Sequence, residues 1–224
     1  MDSDIPEGRF WMPGEERFGW FSSRVYGIAD HIPVLKNFHE FVIRSLSALE
    51  FSRILDIGCG TGTVLLSLAQ RKGDFLGCGI DPSVHMVHIA GKRAERLGLS
   101  HRVEFARGSN RYVPFGGKFD VICSSLSFHH WKNNAESVAG IMERLEEDGR
   151  FIVYEITGDG SLIRKMARRH LMNREDFGTI HAGDGTETEV TGHEGYISAT
   201  FRRSGQNVLK AAQPAPVLKD KRDK

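Results

Sequence analysis

The chain has 224 residues, of which 40% are hydrophobic and 26% are charged, and its formal net charge at pH 7 is +1. This length suits one domain with additional segments, and the composition argues against a fully disordered or fibrous protein. We predict no membrane span, secretory signal or nucleic-acid partner, because the apolar runs fall short of about 18 residues, the start is acidic and the net charge is small.

The first fifty residues are predicted to contain a lid and a helix. Aromatic side chains are frequent before residue 30, where no regular periodicity is present; they include Phe10, Trp11, Phe18, Trp20, Phe21 and Tyr26. These rings either pack in an ordinary core or form a lid over a site. Apolar residues at helical spacing then predict a helix over residues 34–49.

Short apolar runs alternate with amphipathic segments across residues 51–157. The runs predict five strands, at residues 53–57, 74–80, 102–106, 119–124 and 150–156. Helices are predicted between them, at residues 64–70, 83–97 and 134–146. This alternation predicts an α/β fold with a doubly wound, mostly parallel Rossmann-like sheet and helices on both faces. Ligands of such sheets bind at the carboxyl ends of the strands.

The chain beyond residue 157 is predicted to be a variable region over residues 158–213. Residues 162–171 fit an amphipathic helix that carries basic side chains between Arg164 and Arg169. Residues 178–205 contain six glycines, so we expect loops or a mobile excursion there. A sixth strand is predicted at residues 207–211, and residues 214–224 are predicted to be a tail or a short edge strand.

A glycine-rich turn follows the first predicted strand. Gly58, Gly60 and Gly62 lack β-carbons, so a ligand can lie against the backbone at the start of the next helix. Asp81 ends the second strand, where a carboxylate can accept both hydroxyls of a ribose. The ordered set of strand, glycine turn, helix, strand and acid therefore predicts a nucleoside-cofactor site.

The spacing of the glycines bears on which nucleoside is bound. The dinucleotide fingerprint needs glycine at its first, third and sixth positions, and the sixth position counted from Gly58 is Thr63. The spacing is instead G-x-G-x-G, preceded by Asp56. A nicotinamide-dependent oxidoreductase is therefore disfavoured.

Residues 54–62 read ILDIGCGTG, which resembles the first motif of class I S-adenosylmethionine-dependent methyltransferases. Further segments that resemble this family are GIDPS at 79–83, FDVI at 119–122 through HHW at 129–131, and LEEDGRF at 145–151. The resemblance extends over residues 51–157 and is nearest to the small-molecule methyltransferases of quinone and biotin synthesis. It implies S-adenosylmethionine as the cofactor and makes residues 158–213 the acceptor side.

The resemblance also implies roles for single residues. Asp56 would order the glycine turn and face the methionine amino group, and Gly58, Gly60 and Gly62 would line the methionine and ribose. Asp81 would hold the ribose hydroxyls. The predicted cofactor-binding set is completed by Cys59, Pro82, Ser83, Ser109, Asn110 and Ser124.

Ser109 departs from the family pattern, which commonly has an acid at this position to meet the adenine amino group. A hydroxyl can accept the same hydrogen bond without a charge, so we expect weaker binding of the cofactor rather than none.

Methyl transfer from a sulfonium is an in-line displacement that needs alignment and exclusion of water, and a base only where the acceptor loses a proton. The candidates for catalysis are His129, His130, Glu155 and, from the lid, Tyr26. A histidine here could instead pack or cap a helix, and Glu155 could instead bind the acceptor. No metal site is predicted, because His85 and His88 have no third ligand in evidence.

We therefore expect a cytoplasmic enzyme, since three cysteines without metal-ligand spacing indicate reduced thiols. It would transfer a methyl group from S-adenosylmethionine to a small-molecule acceptor. The basic segment between Arg164 and Arg169 favours a solvated helix face; the alternative is a site for an anionic acceptor or an RNA phosphate, of which the small molecule is preferred. A non-catalytic nucleoside-binding or regulatory module stays open as an alternative, because Ser109 and residues 178–205 are unusual.

Overall fold

The computed structural model describes residues 5–11, 33–157, 172–180, 183–193 and 195–205. The helices in these ranges are α1 (Pro33–Ser47), α2 (Thr63–Arg71), α3 (Val84–Arg96), α4 (Asn134–Met142) and α5 (Arg174–Gly178), with short 3-10 helices at Glu7–Arg9 and Phe128–His130. The strands are β1 (Arg53–Ile57), β2 (Leu76–Asp81), β3 (Val103–Arg107), β4 (Phe119–Ser125), β5 (Leu145–Ile156), β6 (Thr186–His193) and β7 (Tyr196–Arg203).

The seven strands form one sheet in the order β3-β2-β1-β4-β5-β7-β6. Neighbours from β3 to β5 pair in parallel, while β7 is antiparallel to both β5 and β6. The chain order reverses between β1 and β4, so a crevice opens beyond the carboxyl ends of these central strands. The predicted doubly wound, mostly parallel α/β fold is confirmed.

Both faces of the sheet are buried, which explains why its central strands read as continuous apolar runs. Successive residues of β1 point to opposite faces, with Ile54 in one core cluster and Leu55 in the other. The first cluster is filled by α1 and α2, through residues such as Phe38, Leu46 and Leu65. The second is filled by α4 and α5, through residues such as Val138, Ile141 and Phe177.

The prediction of loops over residues 178–205 is wrong. This segment contains the end of α5 and the β6–β7 hairpin, and β7 extends the sheet by pairing with β5. The alternation of buried Ile197, Ala199 and Phe201 with half-buried neighbours is a strand pattern. Several of the glycines lie at turns with positive φ, as Gly195 does immediately before β7. The loop prediction gave more weight to the number of these glycines than to the alternating strand pattern.

The predicted helix at 134–146 is too long, since α4 ends at Met142 and β5 already begins at Leu145. The pairing of β4 with β5 is irregular there, and Gly149 lies inside the strand. A β-carbon at Gly149 would come 2.9 Å from the carbonyl oxygen of Phe119, so the backbones approach too closely for a larger residue.

The fifth strand begins five residues before its predicted start at residue 150, and the other predicted helices and strands of residues 34–157 are confirmed to within about two residues at each end. The predicted helix at 162–171, the strand at 207–211 and the segment at 214–224 lie outside the described residues. Among the residues that are described, no helix is long and apolar enough to cross a membrane.

Candidate cofactor and active site

The glycine turn between β1 and α2 is held at the end of β2. The backbone N–H groups of Gly58 and Cys59 both donate to the carbonyl oxygen of Ile80, at 2.8 and 3.0 Å. Gly58, Gly60 and Gly62 have φ values of 77°, 53° and 77°, in the left-handed region that favours glycine. The turn therefore has a defined shape that depends on its glycines.

Asp81, the last residue of β2, fixes two backbone segments with one carboxylate. Its Oδ2 accepts the N–H of Gly60 at 3.1 Å, and its Oδ1 accepts the N–H of Ser83 at 2.8 Å. Burial raises the pKa of Asp81 to about 6, against the lowering effect of these two bonds. Each carboxylate oxygen can accept a further hydrogen bond, so the side chain can still hold a pair of hydroxyls.

Asp56 is buried in β1 and only partly satisfied. The thiol of Cys123 is 3.8 Å from its Oδ1, and its Oδ2 has no hydrogen-bond partner in the described part of the chain. Burial raises the pKa of Asp56 to about 7, the bond from Cys123 lowers it and the nearby charge of Asp81 raises it. The expected role of Asp56 in ordering the turn is not seen, because Ile80 and Asp81 hold the turn instead.

A cleft lies beyond the carboxyl ends of β1, β2 and β4 and encloses about 720 Å³ that is continuous with solvent. A β-carbon at Gly60 would point into open space, so this glycine leaves room inside the cleft. The predicted site residues that line the cleft are Gly58, Gly60, Asp81, Pro82, Ser109, Asn110 and His130.

Five of the predicted cofactor-binding residues do not line this cleft: Asp56, described above, and Cys59, Gly62, Ser83 and Ser124. A β-carbon at Gly62 would come 2.6 Å from the ring of Phe105, so this glycine serves the packing of α2 on β3. The thiol of Cys59 is buried, and burial raises its pKa well above the usual range. Ser83 and Ser124 are also buried; Ser83 bonds to Asp81 through its backbone, and Oγ of Ser124 has no hydrogen-bond partner among the described residues.

A buried histidine–carboxylate pair lies beside the cleft. Nδ1 of His129 is 2.9 Å from Oε2 of Glu155, whose side chain is fully buried in β5. The rings of His129 and His130 are 4.0 Å apart between centroids, and His130 lines the cleft. Tyr26, the fourth catalytic candidate, lies outside the described residues.

Several lining residues were not predicted as site residues. Leu126 and Ser127 follow β4 directly, and a β-carbon at Gly58 would overlap Oγ of Ser127. Their place at a strand's carboxyl end could have identified them. Trp131 donates its indole N–H to Ser127, and Ile57 and Met86 also line the cleft. Phe10 and Trp11, which line it as well, belong to the aromatic residues considered above for a lid.

Comparison with known proteins identifies the kind of domain to which this fold belongs. Residues 54–149 match a family model described as a methyltransferase domain. Over these residues the chain therefore carries a methyltransferase domain. The matched residues include the glycine turn, Asp81, His129 and His130.

Individual relatives agree with this identification. An uncharacterized methyltransferase of Bacillus subtilis, YcgJ, is 30% identical over 104 residues, which are 46% of this chain and 40% of that protein. Erythromycin 3''-O-methyltransferase of Saccharopolyspora erythraea is 30% identical over 108 residues, 48% of this chain and 35% of that protein. The chain thus spans less than half the length of either relative.

Among solved structures, the plantazolicin methyltransferase BamL, in complex with a triazolic desmethylPZN analog and SAH, has the same fold. Its TM-score is 0.65 at 17% identity, over 82% of this chain and 91% of that one. The methyltransferase domain of the present chain fits a cofactor of this kind on three grounds. Gly60 leaves space against the backbone, Asp81 keeps two acceptor positions, and Asp56 has a buried oxygen that a cation could satisfy.

The alternatives raised by the sequence are not favoured. The family match does not support a nicotinamide-dependent oxidoreductase, and nothing in the comparisons favours a non-catalytic module over a methyltransferase. In the described ranges no group of three metal-ligating side chains comes together, and His85 and His88 are exposed on α3.

Proposed function

We propose that the protein transfers the methyl group of S-adenosylmethionine to a small-molecule acceptor by in-line displacement. The observation that carries this proposal is the glycine-lined cleft in which Asp81 keeps two acceptor positions beside the open space at Gly60. A ribose fits these two features together, since its adjacent hydroxyls can both donate to one carboxylate.

The cofactor, when bound, supplies an electrophilic methyl group on a sulfonium. The residues of this chain hold and orient it: Asp81 takes the ribose hydroxyls, Pro82 flanks the adenine, and Asp56 attracts the methionine ammonium group. Leu126 and Trp131 line the cleft with apolar surface, which helps to exclude water from the reacting atoms. Catalysis then depends mainly on alignment of the acceptor with the methyl group.

The proton of an acceptor O–H or N–H group would be taken by His130, which lines the cleft. His129 and Glu155 act as positioning residues. The carboxylate of Glu155 holds Nδ1 of His129 at 2.9 Å, and the ring of His129 contacts that of His130 at 4.0 Å between centroids. Because Glu155 is fully buried in the sheet, this arrangement is held by the fold rather than by a mobile loop.

The acceptor is expected to be a small anionic molecule. The basic segment between Arg164 and Arg169 lies outside the described residues, but a second cleft of about 1360 Å³, also continuous with solvent, adjoins the first at Asn110. Its charged lining comprises four cationic side chains and one acid, namely Arg9, Arg111, Lys132, Arg144 and Glu136. We expect the protein to act in the cytoplasm, in keeping with its three free, buried cysteines.

Titration calorimetry with S-adenosylhomocysteine and with NAD tests the proposed cofactor. We expect the homocysteine nucleoside to bind and NAD not to bind. Asp81→Ala should weaken binding of the nucleoside by about 10-fold or more, because a hydrogen bond to a charged acceptor contributes about 1.5–3 kcal/mol.

Asp74→Ala is the matched control, since Asp74 is exposed and lies before β2, and it should bind like the wild type. Tight binding of NAD with no response to S-adenosylhomocysteine would contradict the proposal. Turnover of S-adenosylmethionine with a panel of small acids then separates an enzyme from a binding module, because a module consumes no cofactor.

A further inference from the structure

Residues 5–11 form an N-terminal strap that lies across the cofactor cleft, although they are distant in sequence from the other residues that line it. The turn at Glu7–Arg9 is closed by N–H groups of Phe10 and Trp11, which donate to the carbonyl oxygen of Glu7 at 2.9 and 3.0 Å. Phe10 is 1% exposed, and Phe10 and Trp11 both line the cleft with Asp81 and Pro82. The strap therefore forms part of the wall of the cofactor cleft, next to the ends of β1 and β2.

Ser109 fastens the strap by a single short hydrogen bond. Its hydroxyl is 2.5 Å from the carbonyl oxygen of Arg9, to which it donates, and it accepts the N–H of Arg111 at 3.1 Å. Ser109 is 4% exposed, and its backbone exchanges two hydrogen bonds with Tyr112. The hydroxyl is thus held in place by a tight turn, with its only proton committed to the strap.

Arg107 makes a second attachment at the end of β3. Its Nη2 is 2.8 Å from Oε1 of Glu7, and its guanidinium carbon is 3.8 Å from the ring centroid of Phe10. Its Nε donates to the carbonyl oxygen of Pro82 at 3.2 Å. One side chain therefore joins the strap to the backbone of a residue that lines the cleft.

The residue type at position 109 decides what this position can do. An ionised carboxylate only accepts hydrogen bonds, so an acid at this position would be free for an exocyclic amine but would repel the Arg9 carbonyl. Serine at position 109 behaves in the opposite way, because its hydroxyl proton is donated to the carbonyl oxygen of Arg9. The serine that stands where the family has an acid therefore makes a contact with the Arg9 carbonyl that needs a hydrogen-bond donor.

We infer that Ser109 is a positioning residue that tethers the strap, and that Phe10 and Trp11 form the wall facing the adenine ring of the cofactor. The inference rests on the proposed cofactor role of the cleft. It replaces the expected contact of Ser109 with adenine by an indirect one through the strap. Because the strap forms one wall of the cleft, its release controls exchange of the cofactor.

Limited trypsin digestion of the full-length protein tests the tether directly, because the tethered carbonyl belongs to the Arg9–Phe10 peptide bond. Cleavage after Arg9 is followed by mass spectrometry. Ser109→Ala should speed this cleavage about 3- to 10-fold, the range expected when one hydrogen bond is lost. Ser109→Thr keeps the hydroxyl and should restore the slow rate, while Ser100→Ala, at an exposed site, should not change it.

Calorimetry with S-adenosylhomocysteine tests the link to the cofactor. Ser109→Ala should raise the dissociation constant about 3- to 10-fold, Ser109→Thr should not, and the nucleoside should slow cleavage of the wild type after Arg9. Melting temperatures establish that each variant is folded.

Two results would overturn the inference. One is wild-type cleavage and affinity in folded Ser109→Ala. The other is tighter binding of the nucleoside by Ser109→Asp with the strap released, which would mean that residue 109 meets the cofactor directly. A wild type that binds no nucleoside would defeat the cofactor proposal, but the digestion would still report whether Ser109 holds the strap.

Discussion

Among the described residues, His130 is the histidine that lines the cleft, and we propose it as the group that takes the proton of the acceptor. Its ring centroid lies 4.0 Å from that of His129, and Nδ1 of His129 is 2.9 Å from Oε2 of the buried Glu155. These contacts give the two rings a defined arrangement. The two adjacent histidines therefore have different positions: His130 faces the cleft, and His129 lies behind it.

His130→Ala should lower kcat about 100-fold or more while leaving the affinity for S-adenosylhomocysteine near the wild-type value, because general base catalysis contributes to the chemical step. Glu155→Gln should give a smaller loss and change the dependence of kcat on pH, since it alters only the positioning of His129. Steady-state kinetics between pH 5.5 and 9 measure both effects. His101→Ala, at an exposed histidine, is the control, and an unchanged kcat in His130→Ala would remove this residue from catalysis.

Between elements, the contact of α2 with β3 depends on two glycines that leave room for one aromatic ring. β-carbons at Gly62 and Gly79 would come 2.6 and 2.4 Å from the ring of Phe105. Gly62 also begins α2 with φ at 77°. Its role is therefore to let the helix start close to the sheet, which places the glycine turn at the edge of the cleft.

Gly62→Ala should destabilise the protein by about 1–3 kcal/mol, because the new methyl group meets Phe105 and the residue keeps a left-handed backbone. Gly91→Ala is the matched comparison, since a β-carbon there meets nothing within 4 Å inside α3. That variant should instead gain about 0.5–1 kcal/mol from helix propensity. Urea denaturation compares the two, and equal changes in the free energy of unfolding would contradict this account of Gly62.

The sequence was sufficient for the elements that are defined by local pattern. The parallel strands, the glycine turn and Asp81 follow from hydrophobic runs and from the order of motifs along the chain. Contacts between distant segments have no such local pattern, which is why the strap on Ser109 and the Phe105 contact of Gly62 were not predicted. The β6–β7 hairpin was missed because its glycines were interpreted as loop residues, although the alternation around Ile197 and Ala199 was present.

On the scale of the whole molecule, the site places two buried carboxyls close to each other at a cost in stability. The pKa values of Asp81 and Asp56 are raised to about 6 and about 7, from 3.8 in each case, with burial as the main cause. Between pH 3.8 and about 7 the folded state therefore binds more protons than the unfolded state. The contribution of both carboxyls to the free energy of unfolding then falls as the pH rises through this window. Glu40, whose pKa is lowered to about 2 by its hydrogen bond to Arg71, acts in the opposite direction, since its contribution to stability is lost as the pH falls from about 4.5 to about 2.

Asp56→Asn should consequently stabilise the free protein at pH 8 and have little effect at pH 5, since only the ionised carboxylate is costly to bury. We expect the melting temperature at pH 8 to rise by about 2–4 °C for each kcal/mol gained. The same variant should bind S-adenosylhomocysteine more weakly, because the ammonium group of the ligand loses its charged partner. Thermal melts of Asp56→Asn and of the exposed Asp74→Asn, with and without the nucleoside, separate these effects. An equal shift of the melting temperature at both pH values would contradict this account. It would mean that burying the ionised carboxylate of Asp56 does not lower the free energy of unfolding.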